Sequence, residues 1–328
     1  MSADADVIII GAGIAGLSAH HELTQNGIKT IILEKSRGQG GRCATRRAEN
    51  FIADHGAQFF KMKNPHWTAV IQNHLANLKS IRLNAHSAHP RYIHPSGISS
   101  ITRFFDAKDS LKTLEKVISI DHSATKKLYE LKTESQNQYT ARNVILTAPI
   151  PQSLELLDAS HFKIQDSEIE SKLRAVQYDP CIALILELTT EVELGNFGIL
   201  KNPNNDFVGI YHQGEKGLCT ATPTLVAHAS PELSLLLWDE DPAHAKTILI
   251  SKIKDYFLKK GIHLSISQTH FHRWKYSEPK ACFEKDYVFL KSPHQELALA
   301  GDGFGKSSIE GAFESGLAAA QALLQQGI

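Results

Sequence analysis

Residues 6–34 read DVIIIGAGIAGLSAHHELTQNGIKTIILE, and the order of residue types in them decides the fold. Val7, Ile8, Ile9 and Ile10 form a β-branched run of the length of a buried strand. Gly11-Ala12-Gly13-Ile14-Ala15-Gly16 follows as a G-x-G-x-x-G. Ile14, Leu17 and Leu23 then share one side of a helix that Gly27 stops. A second β-branched run, residues 30–33, ends on Glu34. Strand, glycine turn, helix, strand and terminal acid make one βαβ unit. Gly11 allows a sharp turn, Gly13 lets a pyrophosphate approach bare backbone, and Gly16 lets helix and strand pack closely. The helix N-terminus, at Ile14 and Ala15, offers free N–H groups and a partial positive charge to that phosphate. Glu34 stands where an acid accepts from a ribose hydroxyl.

The next residues extend the cradle. Lys35-Ser36-Arg37-Gly38-Gln39-Gly40-Gly41-Arg42 brings adjacent glycines and two arginines just past the acid. Glycines let the loop run close to a ligand, and arginine offers a phosphate a fork of donors. Asp54-His55-Gly56-Ala57-Gln58-Phe59-Phe60 reads equally well as a ligand-facing loop or as a turn into a strand. Residues 64–80 carry a helical stripe, 91–94 a short strand and 98–105 a helix. Residues 114–120, 127–133, 138–141 and 143–146 read as a strand meander returning to the parallel sheet. Pro149-Ile150-Pro151 marks a boundary. Beyond it come short helices at 152–157 and 168–176, strands at 181–188, 197–200, 207–212 and 218–222, an ambiguous stretch at 224–237, an amphipathic helix at 244–260 and a strand at 264–274. This block has no βαβ periodicity and reads as an antiparallel sheet with covering helices.

Composition narrows the class. The chain has 328 residues, 42% hydrophobic and 21% charged, which suits a globular protein with a large core. Its net charge of +0 gives no bulk attraction to nucleic acid or an anionic membrane. It contains no apolar run long enough to span a bilayer and no basic leader, and neither nucleic acid nor membrane is expected as a partner. Cys43, Cys181, Cys219 and Cys282 are far apart without metal spacing and read as reduced thiols of a cytoplasmic protein. His270 and His272 share one face of a strand, but two ligands without a third do not make a metal site, and none is expected.

The end of the chain changes the reading of its beginning. Residues 297–300 form an apolar strand running into Gly301-Asp302-Gly303, and a helix rich in small residues follows from Ser307, which with Glu310 matches a capping box. A nicotinamide bound at the first glycine loop needs no such second feature. A longer dinucleotide crossing the sheet does: its adenosine end lies on residues 11–34, and its polyol reaches Asp302. The helix N-terminus then faces a ring that becomes anionic on reduction. These demands describe FAD, bound non-covalently.

With these motifs in hand, the chain resembles the flavin-containing amine oxidase superfamily, with a glutathione-reductase-type FAD-binding Rossmann domain. Arg37 to Arg42 is similar to its R-x-x-G-G-R motif. Within the superfamily, residues 36–42 and 54–60, Arg273-Trp274-Lys275-Tyr276, Gly301-Asp302 and Glu310-Gly311-Ala312 resemble the bacterial renalase group. The resemblance implies an α/β fold: an FAD-binding unit from residues 1–60, 95–150 and 285–328, and an interleaved α+β substrate unit with a mainly antiparallel sheet from 61–94 and 151–284. It implies cofactor contacts at Gly11, Gly13, Ile14, Ala15, Gly16, Glu34, Lys35, Arg37, Gly41, Arg42, Ala57, Gln58, Phe59, Val117, Gly301, Asp302, Ile309 and Glu310. The implied reaction oxidises the 2- and 6-dihydro isomers of NAD(P)H by hydride transfer to flavin N5, and O2 takes the electrons to give hydrogen peroxide. No protein acid or base is obligatory. Phe59 and Trp274 are the expected pocket aromatics, and His212 or His270 is a candidate partner for a substrate carboxamide. The alternatives are an amine oxidase, with Lys275 beside Trp274 in the role of the flavin-side lysine, and a non-catalytic FAD-binding redox protein.

Overall fold

In the computed structural model, residues 3–82, 89–292 and 295–328 are described. The opening βαβ unit forms as Ala5–Ile10, Ile14–Gln25 and Thr30–Glu34. Ala5–Ile10 lies at the middle of a mostly parallel sheet, between Thr30–Glu34 and Gln138–Leu146. Leu111–Thr113 extends the sheet on one side, and Gln295–Ala300 with antiparallel Tyr287–Ser292 extends it on the other.

Both faces of this sheet are covered, which is why its central strands read as unbroken apolar runs. Val7, Ile9, Ile32 and Ile145 face the helices Ile14–Gln25 and Ile309–Gln326, where Leu17, Leu23, Phe313 and Ala319 meet them. Ile8, Ile10, Val144 and Leu146 face the other way, onto Leu131, Leu154, Leu157 and Leu173. The two covering helices cross very closely. A Cβ at Gly316 would stand 2.0 Å from the Ala15 carbonyl oxygen, and Ser18 Oγ donates to the Phe313 carbonyl across the same crossing at 2.8 Å.

The second sheet is antiparallel throughout, in the order Ile199–Lys201, Phe207–His212, Thr224–Ala229, Tyr178–Leu188, Ile266–Pro279. Ile182, Leu184, Leu186, Ile210, Leu225 and Ala227 bury one face under the helix Pro242–Leu258 through Ala245, Leu249, Ile253 and Phe257. Pairing register puts Tyr211, His228, Ala183, His272 and Trp274 on the opposite face.

Several local expectations are corrected. The stretch 64–80 is not one helix: Pro65–Gln72 ends at Asn73, a 3-10 turn follows at Leu75–Asn77, and Lys79–Ile81 is a strand paired with Arg91–Ile93. Residues 138–141 and 143–146 are one strand, Gln138–Leu146. Its first half pairs antiparallel with Leu128–Thr133, and its second half is parallel to Ala5–Ile10. The strand expected at 114–120 begins at Val117, because Leu114 takes a positive φ of 61° that breaks extended pairing. Residues 218–222 are not a strand; they follow the short helix Gln213–Lys216. Thr224–Ala229 is a strand and Pro231–Leu236 a helix. Packing also crosses the division of the chain drawn from sequence. The helices Ile150–Ala159 and Ser167–Arg174 lie under the parallel sheet, and Trp67 and Ile71 pack beside Phe313.

Gly316→Ala must push the two crossing helices apart, and it is expected to destabilise the protein by about 1–3 kcal/mol. Chemical denaturation measures this, and an unchanged midpoint would contradict the close crossing.

Candidate functional site

The nucleotide cradle is built from backbone. Gly11 has a φ of +106°, and a Cβ there would lie 2.8 Å from Thr147 Oγ1. Gly16 sits against the Gly11 carbonyl, 2.0 Å from where its own Cβ would be. Gly13 differs: a Cβ there meets nothing within 4 Å, so the space before the helix is open. Gly13 is also the N-cap of Ile14–Gln25, whose first turn has no side-chain cap and no acid. The donors at Ile14 and Ala15 thus face open space with the positive end of a helix behind them, which fits a pyrophosphate. Glu34 is buried, and its two carboxylate oxygens accept from Ala12 N and Ser36 N at 2.8 Å each. It therefore shapes the glycine loop as well as closing the cradle.

The second glycine motif lies against the first. Gly40 N donates to the Ala12 carbonyl at 2.8 Å, and a Cβ on Gly41 would stand 3.5 Å from Gly13 Cα. Lys35 and Arg37 are exposed on this turn. Val117 opens a strand just past Glu115, whose N–H donates to the Glu34 carbonyl at 2.9 Å. Arg42 departs from its expected role. Its guanidinium forks onto both oxygens of Asp302, 260 residues away, and also donates to the Tyr276 and Ser277 carbonyls. The two ends of the predicted cofactor track are thus brought together. Arg42 is committed to Asp302 because a part-buried guanidinium needs a counter-charge.

The capping box moves by one residue. Ser308, not Ser307, caps Ile309–Gln326, through Gly311 N at 2.9 Å. Glu310 accepts from the backbone N–H groups of Lys63 and Asn64, tying that segment to the start of the helix.

The loop 54–60 meets the open face of the antiparallel sheet. The His55 carbonyl accepts from Trp274 Nε1 at 2.9 Å and pairs with His228 Nε2 at 3.2 Å. The His55 ring stacks on Trp274 with centroids 5.4 Å apart and planes 18° apart, and His272 meets both rings at 4.9 and 4.2 Å. Burial, then the neighbouring His272, His228 and Arg46, press the pKa of His55 down to about 3. Burial is also the main cause that takes His228 to about 4, and it lowers His272. The wall is therefore uncharged near neutral pH. His55 Nδ1 is buried without a hydrogen-bond partner.

Behind the loop is a polar network that the sequence reading missed. Lys216 and Asp54 are both fully buried, with Nζ 3.0 Å from Oδ2. Lys216 also donates to Gln58 Oε1 at 2.7 Å, and Asp54 N donates to Gln213 Oε1 at 3.0 Å. Burial lowers the pKa of Lys216, and Asp54 opposes that shift. Gln58, expected at the cofactor, is engaged here, while its neighbour Ala57 is held by its N–H on the Arg42 carbonyl at 2.9 Å. No spacing rule marks Lys216: Gln213-Gly214-Glu215-Lys216 reads as a polar surface turn.

Two of the expected pocket residues are held by protein contacts. His212 Nδ1 accepts from Glu215 N at 3.1 Å and caps the helix Gln213–Lys216. His270 is bound to Glu187 at 2.8 Å and packs on Phe51. Lys275 is 63% exposed, with Glu155 4.0 Å away, because alternation turns it away from Trp274. Phe59 lies beside Ile199 and Tyr211 at the rim of the same face. The four cysteines are free thiols.

Comparisons with known proteins agree with this geometry. The profile of an NAD(P)-binding Rossmann-like domain matches residues 9–73, and that of the flavin containing amine oxidoreductases matches residues 92–324. A possible lysine-specific histone demethylase 1 of Drosophila melanogaster is 51% identical over 51 residues, 16% of this chain and 6% of that protein. A pseudooxynicotine dehydrogenase of Pseudomonas sp is 35% identical over 69 residues, 21% of this chain and 14% of that protein. The matches thus span only a small part of these relatives' lengths. A putrescine oxidase triple mutant, redesigned in cofactor binding, superposes with a TM-score of 0.70 at 12% identity, covering 98% of this chain and 99% of that one. At that identity the likeness is one of fold.

Gly13→Ala places a methyl in the open space before the helix, where it meets no protein atom within 4 Å. It is expected to leave the apoprotein's thermal midpoint within about 1 °C, since open surface substitutions cost little, while FAD retention on gel filtration falls. Full retention would remove Gly13 from the cradle. The depressed histidines give a second test. Between pH 6.5 and about 4 the unfolded chain binds protons that folded His55 and His228 do not. Their contribution is complete above pH 6.5 and is lost as pH falls, by about 1.4 kcal/mol per pH unit for each group. The His55→Gln/His228→Gln variant should show a shallower stability–pH slope in that window; an equal slope would place the titration elsewhere.

Proposed function

Because the chain belongs to the flavin containing amine oxidoreductase family, we propose that it is an FAD-dependent oxidase of renalase type, which oxidises the 2- and 6-dihydro isomers of NAD(P)H to NAD(P)+. Bound FAD supplies the hydride acceptor and the passage of two electrons to O2, giving hydrogen peroxide. The protein's task is to hold a flat ring in reacting geometry, at about 3–3.5 Å, and to exclude water.

The observation that carries this reading is the uncharged aromatic wall of His55, His272 and Trp274. A dihydronicotinamide ring is flat, neutral and carries a carboxamide. It stacks on such a wall. An ammonium group fits less well, because a buried cation needs an anion. Asp54 and Glu187, the carboxylates buried near this face, are already engaged by Lys216 and His270. The lysine that amine oxidation usually places at the flavin is not supplied by Lys275 either, which is exposed.

Anaerobic mixing of the FAD-loaded protein with 6-dihydro-NAD(P), ordinary 4-dihydro-NAD(P)H and a panel of amines separates the readings. Rapid bleaching of the flavin by the 6-dihydro compound alone is expected, and Trp274→Ala should slow it by roughly tenfold to a hundredfold. Bleaching by an amine instead would make the protein an amine oxidase; bleaching by none of the compounds would point to a non-catalytic flavoprotein.

A further inference from the structure

Two cations stand over the Phe59 ring. The Arg91 guanidinium carbon is 5.0 Å from its ring centroid and Lys201 Nζ is 5.2 Å away. Three separate segments deliver these groups. Arg91 opens the strand Arg91–Ile93, which pairs with Phe60 through two backbone hydrogen bonds between Phe60 and Tyr92, and Lys201 closes the strand Ile199–Lys201. Among the described residues neither cation has a carboxylate oxygen within 4.0 Å. Arg91 Nε is buried with no hydrogen-bond partner. Lys201 is pressed toward its neutral form by burial, then by the charges of Arg91 and Lys61. Like charges gathered without an anion repel one another, and a bound anion removes that cost.

The patch is continuous with the aromatic wall. Lys201 stands opposite Gly209, Gly209 opposite His228, His228 opposite Ala183, and Ala183 opposite His272. Lys201 and His272 therefore end one row on one face of the sheet. They are four strand spacings of about 4.8 Å apart, or roughly 19 Å. A Cβ on Gly209 would collide with the Tyr211 ring, so the absence of a side chain at Gly209 lets that ring lie along the row between the two ends. A ligand that fits this face has a flat neutral group at one end and an anion at the other.

We propose that Arg91 and Lys201, both set over the Phe59 ring, form an anion subsite that holds the phosphate-bearing arm of the substrate whose ring lies against Trp274. This rests on the dihydronicotinamide reading, and it names the feature that selects a dinucleotide over a simple amine or an unphosphorylated nicotinamide. Both cations are partly exposed, so binding through them weakens as salt is added.

The test uses the FAD-loaded protein, so that the cofactor cradle is already filled, with ADP-ribose titrated in by calorimetry at low and high salt. Wild type is expected to bind ADP-ribose, more weakly at high salt. Arg91→Gln/Lys201→Gln should bind at least about tenfold more weakly with unchanged flavin content, and Arg91→Lys/Lys201→Arg should recover most of the loss. If the double variant does not fold, Lys201→Gln alone suffices, because that side chain is exposed. In turnover the same variants should raise KM for 6-dihydro-NAD(P) and leave kcat nearly unaltered. Failure of wild type to bind ADP-ribose, or equal binding by the variants, overturns the subsite. Binding that the variants lose, in a protein whose flavin no dihydronicotinamide bleaches, upholds the subsite and overturns the oxidase reading.

Discussion

A lysine ammonium and an aspartate carboxylate, both at 0% exposure, hold the two halves of the candidate site together. Taking such ions out of water costs several kcal/mol each, and their attraction offsets this only when every remaining donor and acceptor is satisfied. Most are here. Asp54 Oδ1 accepts from Thr45 Oγ1 and Ile98 N, both at 2.7 Å, and Lys216 gives two of its three protons to Asp54 and Gln58. Ile98 N can reach Asp54 only because Gly97, with a φ of +91°, leaves no Cβ against Thr45 and the carboxylate. The pair thus joins the hairpin of Thr45–Arg47 and Ile52–Asp54, the turn at Gly97 and the helix Gln213–Lys216. His55 and Gln58 leave this knot in directions it sets, and the contact with Trp274 follows from them.

Charge is sorted by depth around that knot. The buried histidines give up their protons, the buried ions neutralise one another, and the uncompensated cations stay at the rim, where water still reaches them. Desolvation is the largest cause for the histidines, since an unpaired charge costs most where the surroundings are least polar, and the neighbouring charges add to it. The outcome is a face that is uncharged at its centre and cationic only at its edge.

Much of the fold could be read from periodicity and glycine spacing. The βαβ unit was legible because each of its signals is local: the β-branched runs, the glycines and the acid lie within residues 6–34. The antiparallel character of the middle block was legible from its lack of βαβ rhythm. What escaped was long-range. That Arg42 would meet Asp302 rather than stand free, and that Lys216 would be buried while Lys275 is not, depends on partners 162 to 260 residues away. His55 was quoted within an ambiguous loop but not singled out, because its environment is made by Trp274, His228 and His272, which come from other strands. His212 and His270 drew attention by residue type, but Glu215 three residues on engages the first and Glu187 on the neighbouring strand the second. Leu114 failed as a strand residue through a single positive φ that composition does not reveal.

The parallel sheet also orders events in the life of the chain. Its central hairpin, Leu128–Thr133 with Gln138–Leu146, joins residues close in sequence and can form early. Gln295–Ala300, by contrast, joins a strand made far earlier in the sequence, and Ile309–Gln326 covers the first helix later still. Until then a growing chain leaves Leu17, Leu23 and the glycine cradle on an unclosed surface. Asp302 and Arg42 cannot yet meet. A chain in which only the first βαβ unit has formed therefore carries the nucleotide-binding sequence without a finished cradle, and its apolar helix stays open to other partners. Closure of the cradle is in this sense set by where two strands sit in one sheet.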